Sequence, residues 1–173
     1  MKNTVNIFLA LCLLFAFGCS TKTSYTPIAN VQEVPLGSTF KIGEITDKSG
    51  FVSPANPDES IDLKLAMGES LRKALKEKGS FGEETSQWTI EVEIVEYEPG
   101  NAFVRWLLPG AGATKLKVVA SIINENAQQA AKIAVERSIG FGGGYTIGAW
   151  KYVFDEVARE IVGTLTDPSK RAA

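Results

Sequence analysis

The sequence predicts an α+β fold: a two-layer sandwich of order β-α-β-β-β-α, with a mostly antiparallel sheet covered on one face by two helices. Three patterns carry that expectation. Trp88, Ile90, Val92 and Ile94 alternate with Thr89, Glu91 and Glu93, which is the period of a half-buried strand. Ile61, Leu65, Gly68, Leu71 and Leu75 recur at helical spacing. Ile147, Trp150, Phe154, Val157, Ile161 and Leu165 do so again near the end of the chain.

The chain opens with an export signal rather than with the fold. Lys2 supplies a positive start, Ile7 to Phe17 is an unbroken apolar run, and Ala16-Phe17-Gly18 is a small-residue segment before Cys19. A spanning helix needs about 20 apolar residues, and the polar run Ser20 to Ser24 stops this one short. Residues 1–18 therefore read as a signal peptide cut between Gly18 and Cys19. Ala16-Phe17-Gly18-Cys19 resembles the lipobox of bacterial lipoproteins, which implies that Cys19 carries diacylglyceryl and fatty acyl (palmitate-type) chains. By the same resemblance, Ser20 after the Cys implies the outer membrane, with the domain facing the periplasm.

Residues 19–37 are polar, hold two prolines and show no sustained period, so they read as a lipid-anchored flexible tether. Residues 38–167 then form a single α/β domain. Thr39 to Thr46 alternates Phe40 and Ile42 against Lys41 and Gly43 as a first strand, closed by Asp47-Lys48-Ser49-Gly50. Pro57-Asp58 reads as the start of the first helix and Gly79 as its stop. After the Trp88 strand, Thr114 to Asn124 and Gln128 to Ile139 form a hairpin about the Asn124-Glu125-Asn126 turn. The last helix runs from Thr146 to Leu165, with Lys151, Asp155 and Arg159 as outward i,i+4 charge pairs. Asp167-Pro168 ends it, leaving 168–173 as a disordered tail.

Composition excludes much chemistry. The chain has no His, the commonest general base and metal ligand near neutral pH. Cys12 leaves with the signal, so Cys19 stands alone. No disulfide can form, and with Cys19 acylated neither thiolate catalysis nor a thiolate metal site remains. Without Lys2 the 20 acidic residues outnumber the basic ones by three, with no long run of either sign, which argues against nucleic acid as a partner. The expectation is no enzyme activity, no metal and no cofactor.

Five features remain as candidates. Glu91, Glu93, Glu96 and Glu98 read as the solvated face of a strand. Ser70-Leu71-Arg72-Lys73 matches the Ser-x-x-Lys pattern of penicillin-recognising enzymes, but lies mid-helix without Ser-Asp-Asn or Lys-Thr-Gly partners, so it reads as a chance match. The glycine-rich Gly140-Phe141-Gly142-Gly143-Gly144-Tyr145-Thr146 could aim backbone N–H groups at an anion, making Gly140, Gly142, Gly143, Gly144 and Thr146 a candidate ligand loop; a tight turn is the simpler reading. The connection from Pro99 to Ala113 is apolar where a loop should be polar. Its Phe103, Arg105, Trp106, Leu107 and Leu108 either join the core or form a contact surface for protein or membrane, Arg and Trp being common interface anchors. Cys19 is the lipidation site.

Pro99-Gly100-Asn101, Arg105-Trp106 and Gly110-Ala111-Gly112-Ala113, followed by a hairpin and a glycine-rich turn, resemble a family of bacterial lipoproteins known only as a domain of unknown function. The likeness covers about Phe40 to Leu165. The β-α-β-β-β-α plan is also similar to the periplasmic domain of the curli secretion lipoprotein and to the N-terminal domain of the Tol-system propeller protein, an analogy of fold alone. The expected role is a non-enzymatic envelope lipoprotein that binds or supports a protein assembly, held to the membrane through lipid on Cys19, with an envelope protein or its own copies as partner. The alternatives are a self-assembling ring or secretion-pore component, and a small-ligand or anion-binding domain using the glycine-rich loop.

Overall fold

The computed structural model describes residues 20–53, 60–83, 86–101, 112–140 and 149–171. Five strands form one open sheet: β1 (Ser20–Pro27), β2 (Phe40–Asp47), β3 (Trp88–Glu98), β4 (Thr114–Ile123) and β5 (Gln129–Ile139). Their order is β1-β5-β4-β3-β2, and every pairing is antiparallel except β2 with β3. Parallel neighbours need a crossover, and α1 (Leu63–Glu77) supplies it between β2 and β3. Helix α2 (Ala149–Thr166) lies beside α1 on the same face, and a single turn, α3 (Pro168–Arg171), follows it.

Alternation builds the core. Ile90, Ile94, Leu116, Val118, Ile122 and Ile133 point from the sheet towards Met67, Leu71 and Leu75 of α1 and Phe154, Val157, Ile161 and Leu165 of α2, all fully buried. Each such side chain contributes about 1.5–3 kcal/mol by leaving water. Two irregularities keep apolar residues on that face where strict alternation would turn them out. A bulge after Ile94 brings Tyr97 inward, and a second between Ile42 and Ile45 does the same for Ile45. The second uses Gly43, where a Cβ would meet Thr89 Cγ2 at 2.6 Å and Glu91 Cγ at 3.0 Å.

The first helix begins later than Pro57-Asp58 implies, at Leu63. Asp62 is its N-cap, its carboxylate accepting from the Leu65 N–H at 3.0 Å. Its end is as expected. Gly79 takes φ +64°, Gly79 N–H donates to Lys76 O at 3.0 Å and Ser80 N–H to Leu75 O at 2.9 Å, the paired bonds of a Schellman stop.

Ser20–Pro27, which the sequence reading places in a flexible tether, is an edge strand in register with β5 from Ser20↔Ser138 to Pro27↔Ala131. Its Ser and Thr residues suit a strand whose faces are mostly exposed, so no apolar alternation announces it. The tail assigned as disordered is ordered through Arg171. Asp167 caps α3, accepting from Ser169 N–H at 2.9 Å with Pro168 in the first helical position, so Asp-Pro both stops one helix and starts another.

Candidate functional site

A cavity of about 350 Å³ opens between the first halves of α1 and α2. Asp62, Leu65, Glu69, Ser70 and Lys73 line it from the α1 side, and Trp150, Phe154 and Asp155 from α2. The helical repeat sets the α1 side, since Asp62, Leu65, Glu69 and Lys73 are three or four residues apart and share one face. Trp150 and Phe154 meet edge to face at 6.1 Å, Phe154 contacts Tyr97 at 5.5 Å, and Tyr97 meets Phe51 edge-on at 5.0 Å, so the cavity is backed by an aromatic chain reaching the end of β3.

At its base the two halves of the Ser-x-x-Lys pattern meet one carboxylate. Ser70 Oγ donates to Asp155 Oδ1 at 2.9 Å and Lys73 Nζ to Asp155 Oδ2 at 2.7 Å. Burial pushes the Asp155 carboxyl up, but the bonds from Lys73 and Ser70 and the charges of Lys73 and Arg159 outweigh it and hold the group below its ordinary value. A charged Lys held on a carboxylate does not take a proton from Ser70, and Ser70 spends its own proton on Asp155. The arrangement ties the two helices together and offers no activated nucleophile. It also corrects the expectation for Asp155, which faces α1 rather than joining an outward ladder, while Arg159 pairs with Glu156 at 2.8 Å.

The sheet face away from the helices bears the acidic residues of β3. Register places Glu96 beside Lys117, Lys117 beside Glu136 and Glu136 beside Lys22, a row of alternating charge across four strands. Lys115 pairs with Glu98 at 2.9 Å, and Lys48 with Glu93. Each exposed pair adds up to about 1 kcal/mol. Among the described residues no group of three or more acidic, His or Cys side chains could hold a metal, and no helix is long and apolar enough to cross a membrane.

Most sequence candidates lie outside the described residues: Gly18 and Cys19, then Phe103, Arg105, Trp106, Leu107 and Leu108, and Gly142, Gly143, Gly144 and Thr146. Gly140 is described. It is half-buried just past β5, and among the described residues a side chain there would meet nothing nearer than the Ala113 Cβ at 3.9 Å. Asp155 is the residue the sequence reading missed as the partner of Ser70 and Lys73. The signal for it was a charged residue directly flanking the buried stripe at Phe154 and Val157.

Fold and site together define a small α+β domain, an open five-stranded mixed sheet with helices packed on one face. The chain belongs to the family described as domain of unknown function DUF4410, whose pattern matches residues 41–143. No curated protein matches it in sequence. Among solved structures it is similar to the PelC dodecamer from Paraburkholderia phytofirmans in two crystal forms, one of them a point variant. The TM-score is 0.57 in both, with 11% and 10% identity over 85% of this chain and 98% of PelC. A crystal structure from Xanthomonas campestris, of the family DUF330, aligns with TM-score 0.50 and 14% identity over 84% of this chain and 96% of that one. These likenesses are of fold.

Proposed function

We propose that the chain is a lipid-anchored envelope protein, facing the periplasm from the outer membrane, that works without catalysis as a self-associating module supporting a protein assembly. The observation that carries this reading is the fold shared with PelC across nearly its whole length, PelC being a dodecamer. The export signal and Cys19 supply the anchor, and strand β1 supports the association. Among the described residues β1 pairs with β5 alone, so its other edge offers backbone N–H and C=O groups to a further strand. A head-to-tail contact that repeats about one axis closes a ring.

Native mass spectrometry of the full-length lipoprotein in mild detergent tests it. The reading predicts one closed oligomer whose population rises with protein concentration. A monomer at every concentration would contradict it.

A further inference from the structure

Four chain directions converge on one end of the fold. β1 starts there at Ser20, paired with Ser138 near the end of β5. β3 ends there at Glu98 opposite Lys115, and α2 starts there, with Phe154 in its first half meeting Tyr97 near the end of β3 at 5.5 Å. α1 also starts there, because its far end meets the beginning of β2, where Phe40 N–H donates to Ser80 O at 2.8 Å. Among the described residues, the exposed large hydrophobic side chains at this end are Val52 (85%), Leu65 (60%) and Tyr152 (57%). They come from the loop after β2 and from the first turns of α1 and α2.

The position of Ser20 decides what covers them. Cys19 directly precedes the first residue of an ordered strand, so no slack separates its acyl chains from the sheet: one residue spans about 3.5 Å. The opposite end exposes Ile28 (36%) and Leu36 (54%), but is a full strand length away from Cys19. We propose that the Ser20 end of the domain rests on the lipid leaflet that holds the acyl chains, with Val52, Leu65 and Tyr152 entering the interfacial zone. This rests on the reading that Cys19 is acylated. Tyr152 suits the place, since an amphipathic ring settles at headgroup depth, and the apolar contacts orient the domain where lipid alone would leave it free to swing.

The test uses the full-length lipoprotein, its acylation verified by intact mass, in phosphatidylethanolamine and phosphatidylglycerol vesicles carrying a nitroxide-labelled lipid. Single variants Val52→Cys, Leu65→Cys, Tyr152→Cys and Leu36→Cys take an environment-sensitive fluorophore; the only other Cys of the mature chain is Cys19. The proposal expects blue-shifted emission and severalfold stronger quenching at 52, 65 and 152 than at 36. Equal quenching at all four positions on acylated protein, or stronger quenching at 36, overturns it and leaves the anchor reading standing. A mass without acyl chains overturns the anchor reading, and the proposal with it.

Discussion

Arg171 Nη1 donates to the Val34 carbonyl at 2.7 Å, joining the last described residue of the chain to the connection between β1 and β2. The same guanidinium reaches the carbonyls of Thr164 and Leu165 at the end of α2 and lies 5.6 Å from the Tyr25 ring centroid. Orphan carbonyls at a helix terminus need donors, and Arg171 supplies them while fixing β1 beneath. Replacing Arg171 by Ala should cost about 2 kcal/mol of stability, the scale of a charged hydrogen-bond cluster. Urea unfolding should show it as a lower midpoint, and an unchanged midpoint would mean that the tail is dispensable.

Asp155 gives stability a pH dependence of definite sign. Its carboxyl lies below the ordinary value when folded, so its contribution is complete above the unfolded pKa of about 4 and is lost as pH falls through the folded value. Asp155→Asn should cost about 1–2 kcal/mol at neutral pH, where Lys73 is left unpaired. It should cost progressively less as pH falls below the unfolded value of about 4 and through the lower folded one, as the native carboxyl takes up its proton. Thermal unfolding of both forms across that range would show the two curves converging on the acid side; parallel curves would contradict the assignment.

The Tyr97 hydroxyl is buried without a hydrogen-bond partner among the described residues, and burial pushes its pKa up to about 12. Removing an unsatisfied buried hydroxyl relieves a desolvation cost, so Tyr97→Phe should leave stability unchanged or raise it by about 1 kcal/mol. The raised pKa also means that this phenol leaves stability independent of pH below about pH 10 and lowers it as pH climbs towards 12. Tyr25 is raised by burial as well, so absorbance titration at alkaline pH should find one phenol fewer ionising late in Tyr97→Phe than in the native protein.

Ala127 holds φ +58° in the β4–β5 hairpin. Asn124 makes the turn, its side-chain oxygen accepting from Asn126 N–H at 3.0 Å and Gln128 N–H at 2.9 Å. A left-handed conformation penalises any Cβ, so Ala127→Gly should stabilise the protein by about 1 kcal/mol. A lower melting temperature for this variant would contradict that conformation.

The central strands and both main helices were legible because their apolar residues repeat at the period of the element that buries them, as Trp88 to Ile94 and Phe154 to Leu165 do. β1 was not, because an edge strand of Ser, Thr and Lys buries too little to leave a pattern. The true start of α1 was hidden by the more obvious Pro57-Asp58, although Asp62 with Leu65 carries the bond that fixes it. Asp155 read as surface charge because periodicity reports which side of a helix faces the core. It does not tell which neighbouring helix meets its flank.

The anchor on Cys19 is the claim from which the rest of the functional account follows, and the mass of the membrane-extracted protein tests it most directly. The account predicts a chain that begins at Cys19 and carries acyl chains there, with Cys19→Ala accumulating as the uncut precursor. A mature chain without acyl mass, or one that keeps residues 1–18 in the wild type, would contradict it.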